Sequence, residues 1–189
     1  ETSLLTGPLE PTNEGYAIAK IAGIKMCQYY RTQYGCNFIS AIPTNLFGPE
    51  DLYDLEKSHL LPALILKIHR LKISGKTELS VWGSGKPKRE FMLSDDCADA
   101  LVFMMKNYDG VEPLNVGTGT DLSVLEIAEA VARVIGVKVQ IKLDPSQPDG
   151  MMRKVLDVGK LQKMGWKPQI DFEKGIQIAY EAFLEKGYT

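Results

Sequence analysis

Apolar and polar residues recur along this chain with two different periods, and the places where the period changes mark its elements. Between Glu14 and Tyr34, the residues Ala19, Ala22, Gly23, Met26 and Tyr30 fall at helical spacing, which predicts a long helix stopped by Gly35. The run NFISAI (Asn37–Ile42) predicts a short buried strand stopped by Pro43, and Thr44–Ser58 reads as a long loop. A second helix is expected from His59 to about Ile73, with Ser58 as its N-cap and Gly75 as its stop. Leu79–Trp82 and Arg89–Leu93 read as short strands on either side of the turn GSGKPK. Ser94 should cap a helix reaching Asn107, with Asp95 and Asp96 in the first turn, where the helix dipole favours acids. Leu114–Val116 is a strand entering GTGTD, Ser123 caps an amphipathic helix to Ile135, and Val137–Leu143 alternates as a strand. Beyond the loop DPSQPDG come an extended segment (Lys154–Asp157), a short helix near Lys160–Met164 and a last helix from Phe172 to Lys186. Helices alternating with short strands imply an α/β chain.

Composition narrows the classes. The 189 residues are 44% hydrophobic and 24% charged, enough for one substantial core and too apolar for disorder. With 22 basic against 24 acidic side chains and no run of like charges, there is no electrostatic case for nucleic acid or an anionic membrane. The longest uncharged apolar stretch, Leu60–Leu66, falls far short of the roughly 20 residues that span a bilayer. Three widely spaced cysteines, Cys27, Cys36 and Cys97, favour a reducing cytoplasm over a disulfide scaffold. The opening ETSLLTGPLEPTNEG has neither the basic nor the apolar region of a secretory leader. It reads as a loop entered midway, so a fragment of something longer is expected.

Several familiar chemistries are absent. Neither Gly83-Ser84-Gly85 nor Gly117-Thr118-Gly119 completes a G-x-G-x-x-G, so both read as turns. The two histidines lie ten apart and form no cluster with cysteine, and no metal is implied. What remains is Tyr16-x-x-x-Lys20: on a helix these residues share a face, and a neighbouring ammonium stabilises a phenolate. Such a phenol can give a proton to a carbonyl oxygen as hydride arrives. A second pair, Tyr53 and Lys57, lies in the charged loop GPEDLYDLEKS and reads as structural. The stretch from Trp82 to Phe91 combines an aromatic ring, glycines and cations, which suits a planar anionic ligand or a solvated hairpin turn. PDGMMRK (148–154) places two cations after a turn, again compatible with phosphate, and Asn45 offers an amide at a strand's end.

Together YAIAK (16–20), PTNLFGP (43–49), SHLLPAL (58–64), WGSGKPKREF (82–91), NVGTG (115–119) and PDGMMRKVLD (148–157) resemble the extended short-chain dehydrogenase/reductase family acting on nucleotide sugars. The resemblance is strongest to the NADP-dependent branch that epimerises and reduces a GDP-linked 4-keto-6-deoxy sugar, and it runs along nearly the whole chain. It implies the C-terminal portion of a Rossmann-type, doubly wound parallel-sheet domain (residues 1–50 and 93–118). A small α/β domain for the GDP-sugar would comprise residues 51–92 and 119–189. It further implies Tyr16, Lys20 and His59 as catalytic residues: Tyr16 as proton donor at C4, Lys20 tuning the phenol, and His59 as the epimerisation acid. Contacts to NADPH would come from Lys20, Pro43, Asn45, Leu46 and His59, and contacts to the GDP-sugar from Asn45, Lys67, Trp82, Arg89 and Lys154. Lys67 stands where relatives often carry Arg, which keeps the charge and loses the bidentate fork. The family's glycine-rich loop, active-site Ser and epimerisation Cys precede the Tyr and have no counterpart here. A cytoplasmic homodimer is implied for the whole protein. Other nucleotide-sugar epimerases or dehydratases, and a non-catalytic nucleotide-sugar-binding module, are the alternatives.

Overall fold

The computed structural model describes residues 1–147 and 149–188. After a 3-10 turn at Pro11–Asn13, α1 (Glu14–Tyr34) ends where Gly35 takes a left-handed φ of 67° and returns its N–H to the Arg31 carbonyl. Glycine has no Cβ to oppose that conformation, so the stop read from sequence is the stop in space. α2 (Leu60–Ser74) ends in the same way at Gly75. α3 is Ser94–Asn107, and α4 is Val124–Ile135. α4 opens with a capping box in which Ser123 and Glu126 each satisfy the other's backbone N–H. α5 (Gly159–Lys163) and α6 (Phe172–Glu185) follow.

The strands pair mostly in parallel. β1 (Ala41–Pro43) lies beside β6 (Leu114–Val116), β2 (Asn45–Phe47) beside β5 (Phe91–Leu93), and β3 (Glu78–Trp82) beside β8 (Gln140–Asp144). β4 (Lys88–Arg89) runs between β7 (Leu122–Ser123), antiparallel to it, and β9 (Arg153–Lys154), parallel to it. Parallel neighbours need crossover connections, and the intervening helices supply them. Only Thr44 separates β1 from β2, so one stretch of chain changes partner in a single step. The Thr44 N–H bonds the Val116 carbonyl at 2.9 Å and its hydroxyl reaches the Glu90 carbonyl at 3.3 Å.

Some boundaries differ from the sequence expectation. The strand expected at Asn37–Ile42 starts only at Ala41, because Phe38 N–H turns back onto the Cys36 carbonyl and Arg31 takes the Asn37 side chain. The loop expected at Thr44–Ser58 contains β2. Arg89–Leu93 is two strands, since the residues on either side of Glu90 join different sheets. GSGKPK is therefore no hairpin turn: β3 and β4 belong to separate ladders. Ser58 spends its hydroxyl on the Asp54 carbonyl, leaving His59 at the N-cap of α2, and Ser94 is the first residue of α3 rather than its cap. The strands expected at Val137–Leu143 and Lys154–Asp157 are displaced to Gln140–Asp144 and Arg153–Lys154.

Two buried clusters hold these pieces. In the first, Leu61 and Ile68 of α2, Ile127 and Val131 of α4, and Ile176 and Phe183 of α6 are all fully buried. Each such side chain contributes about 1.5–3 kcal/mol of transfer free energy. The second joins β5, α3, β6 and α5 through Met92, Ala100, Met104, Val116, Leu161 and Trp166, whose indole donates to Asp99 at 2.8 Å. α1 buries none of its residues fully, and Tyr16, Met26, Tyr29 and Tyr34 stand exposed on it.

Candidate functional site

The polar centre of the molecule forms around β4. Arg89 and Lys154 are register partners on adjacent parallel strands, so their side chains rise from the same face. Arg89 is half-buried and donates to the Lys88 carbonyl, while Lys154 is exposed. Among the described residues neither forms an ion pair with a carboxylate. Two unneutralised cations side by side suit a ligand that spreads negative charge over several oxygens, such as a diphosphate. Asn45 joins them from β2, its amide donating to the Glu90 carbonyl at 2.7 Å. A groove of about 440 Å³ is lined by Arg89 together with Phe47, Phe91, Phe172, Thr118 and Thr120.

Asp149 and Asp121 fix the surrounding loops. The Asp149 carboxylate accepts the Ser84 N–H at 2.6 Å and the Ser84 hydroxyl at 2.8 Å, and these bonds hold its carboxyl below the ordinary 3.8. The approach requires Gly83, since a Cβ there would lie 2.2 Å from the Asp149 oxygen. Asp121 takes the Arg153 guanidinium, whose hydrogen bond lowers the Asp121 carboxyl likewise. Of the two cations in PDGMMRK, Arg153 is thus already neutralised and Lys154 is the one offered to a ligand. Pro148, at the head of that motif, lies outside the described residues.

Trp82, at the end of β3, is exposed, with the Lys67 ammonium 5.6 Å from its ring centroid. That cation–π contact parks Lys67 on the flat face and gives the pair one orientation. On α1, Lys20 Nζ stands 5.4 Å from the Tyr16 ring centroid, and both side chains are exposed. Pro43 closes β1, and Leu46 is partly exposed on β2. His59 is exposed at the start of α2 close to Asp51, whose carboxyl is raised by burial and lowered by the Gly48 N–H and by His59.

The structure therefore brings Asn45, Arg89 and Lys154 together and pairs Lys67 with Trp82, Tyr16 with Lys20, and His59 with Asp51. No hydrogen bond or ring contact among the described residues joins Tyr16 or Lys20 to Asn45 or Arg89. The second Tyr–Lys pair behaves as core: Tyr53 is buried, donates to the Ala179 carbonyl at 3.1 Å, and burial pushes its phenol above the ordinary range. Sequence reading missed Glu90, Asp121 and Asp149. Their partners lie 28 to 66 residues away, and only the acid between Arg89 and Phe91 gave a local hint.

Parallel strand pairs joined by helices, with polar groups gathered at strand ends, place the chain among Rossmann-type α/β proteins. Residues 1–117 match the NAD dependent epimerase/dehydratase family, and the chain belongs to that family. The GDP-L-fucose synthase of Sinorhizobium fredii is 56% identical over 184 residues, covering 97% of this chain and 59% of that protein. The GDP-L-fucose synthase of Escherichia coli is 44% identical over 194 residues, covering 98% of this chain and 60% of that protein. The chain thus spans about 60% of the length of these curated relatives. A GDP-L-fucose synthetase from Naegleria fowleri bound to NADP superposes with a TM-score of 0.88 at 32% identity, covering 96% of this chain and 59% of that structure. The UDP-glucose 4-epimerase of Thermotoga maritima, 22% identical with a TM-score of 0.78, shares the fold. No helix among the described residues is long and apolar enough to cross a membrane.

Proposed function

We propose that these residues serve an NADPH-dependent epimerase–reductase that converts GDP-4-keto-6-deoxy-mannose to GDP-L-fucose. The observation that carries the reading is the meeting of Arg89, Lys154 and the Asn45 amide on one scaffold, with an accessible Tyr16–Lys20 pair on α1. The names of the relatives and the NADP bound to the Naegleria structure support the choice of substrate and cofactor.

Arg89 and Lys154 bind the diphosphate, and Lys67 with Trp82 bounds the other side of the sugar nucleotide. His59 exchanges protons at the carbons flanking the C4 ketone, which makes those carbons acidic. Tyr16 then delivers the phenolic proton to the C4 oxygen, and the Lys20 ammonium stabilises the phenolate left behind. NADPH, when bound, supplies the hydride, and the Lys20 ammonium and the Asn45 and Leu46 strand end are the groups placed to hold it. The exposed phenol and ammonium on one helix face fit that role. We assign residues 1–50 and 93–118 to the cofactor side and 51–92 and 119–189 to the sugar-nucleotide side. The division follows the resemblance; the buried clusters cross it, since Leu161 and Trp166 pack with Cys97, Met104 and Val116, and Phe47 packs with the α2, α4 and α6 core. The reading includes a cytoplasmic homodimer, supported by three free cysteines and the open apolar face of α1.

Titrating the protein with GDP and with UDP tests the binding half, and turnover of GDP-4-keto-6-deoxy-mannose with NADPH in the gene product tests the chemistry. GDP binding and fucosyl product are expected; preference for UDP or turnover of UDP-sugars would overturn the assignment.

A further inference from the structure

Glu90 is fully buried, and every group its carboxylate meets is a donor. Oε1 accepts the N–H groups of Thr118 (2.6 Å) and Gly119 (2.8 Å) and the Thr118 hydroxyl (3.2 Å), and Oε2 accepts the Leu156 N–H at 2.8 Å. Its own carbonyl takes the Asn45 amide at 2.7 Å and the Thr44 hydroxyl at 3.3 Å. One residue thus ties the strand change at Thr44, the turn after β6 and the chain leaving β9 to the end of β4. Gly117 shows how closely the turn is drawn in: a Cβ there would lie 2.3 Å from Oε1.

The location makes physical sense for a site that must hold two cations together. β4 and β9 share only two residue pairs, and both pairs, Lys88 with Arg153 and Arg89 with Lys154, set like charges opposite each other. Like charges in register weaken a ladder, and one this short has little to offset them. Asp121 relieves the first pair. For the second, the bond from the Leu156 N–H to Glu90 pins the chain two residues past Lys154 and so holds β9 against β4.

We propose, resting on the diphosphate reading above, that Glu90 is the positioning residue of this site. It fixes Asn45, Arg89 and Lys154 relative to one another before the ligand arrives, which removes part of the ordering cost of binding. The amide of Glu90→Gln can face the turn at Thr118 or the Leu156 N–H as an acceptor, and it presents a donor to the other.

Calorimetric titration of the chain with GDP and with guanosine tests this. Glu90→Gln is expected to weaken GDP about tenfold or more, the scale of one lost charge-assisted hydrogen bond, and to leave guanosine unchanged. In an Arg89→Ala/Lys154→Ala background the same substitution should cost nothing further, because the cations its carboxylate positions are gone and Asn45 is held by the Glu90 main-chain carbonyl, which the substitution keeps. Wild-type GDP affinity in folded Glu90→Gln, or a loss fully additive with the double variant, overturns the positioning role alone. Failure of the wild type to bind GDP overturns the functional reading and this inference with it. Should Glu90→Gln not fold, hydrogen exchange on the wild type decides. GDP is expected to slow the Thr118, Gly119 and Leu156 amides together, and unchanged exchange at all three refutes the proposal.

Discussion

Truncating Phe183 is the sharpest probe of how the core between α2, α4 and α6 is held. The ring is fully buried, with centroids of Tyr53 and His69 each at 4.8 Å, Tyr188 at 5.5 Å and Tyr180 at 5.8 Å. Phe183→Ala removes its transfer free energy and leaves a cavity, a loss of about 3–5 kcal/mol. The upper half of that range applies because the walls cannot collapse inward. Tyr53 is tethered to the Ala179 carbonyl at 3.1 Å, and His69 Nδ1 is joined to the Tyr180 hydroxyl at 2.9 Å. Four ring contacts, each worth about 0.5–1.5 kcal/mol beyond area, are lost at once. Phe183→Leu keeps most of the volume and should cost about 1–1.5 kcal/mol. Urea unfolding followed by circular dichroism reads both, and the Ala midpoint should drop by roughly 2 M with little change in slope. A loss below about 1.5 kcal/mol for Ala, or equal losses for Ala and Leu, would refute the rigid aromatic wall. Because Tyr53 stands between Asp51 and His59, the Ala variant should also loosen the segment that presents His59.

Two further outcomes are expected. In the gene product that turns over the substrate, Tyr16→Phe should abolish reduction while solvent-deuterium exchange into the sugar continues, and a near-normal reduction rate would displace Tyr16 from its role. Burial, reinforced by the Lys72 charge, holds His69 below its ordinary 6.5. The unfolded chain therefore takes up the proton first, so the His69 contribution is intact above pH 6.5 and declines as pH falls below it. Urea midpoints measured between neutral and acidic pH should show that decline, and His69→Phe should flatten it.

Local signals carried the helices. Gly35 and Gly75 stop their helices in left-handed conformations, and Ser123 with Glu126 caps α4 at the residue the pattern indicates. Strand partnership was less legible, because pairing is a property of distant segments. Nothing within REF announces that Arg89 and Phe91 belong to different ladders, or that NLF pairs in parallel with residues beyond position 90. Ser58 looked like an N-cap by type, but its hydroxyl found a nearer carbonyl in Asp54. The cationic members of the site could be named from sequence because charge and spacing are local. The acids that arrange them could not, because each acts across a turn or between strands.

The nest around Glu90 has a consequence for how the sequence can drift. Three of the four hydrogen bonds to its carboxylate come from main-chain N–H groups, which any residue except proline supplies. Thr118 and Leu156 can therefore change identity without losing those bonds, whereas Glu90 has no substitute of the same reach and charge, Gly117 cannot gain a single carbon, and Gly119, at a φ of 74° with Val158 2.9 Å from where its Cβ would stand, is held to glycine. Selection on this nest falls on positions 90, 117 and 119, neighbours in space that lie up to 29 positions apart in the chain, and rests lightly on the side chains that merely lend it a main-chain N–H.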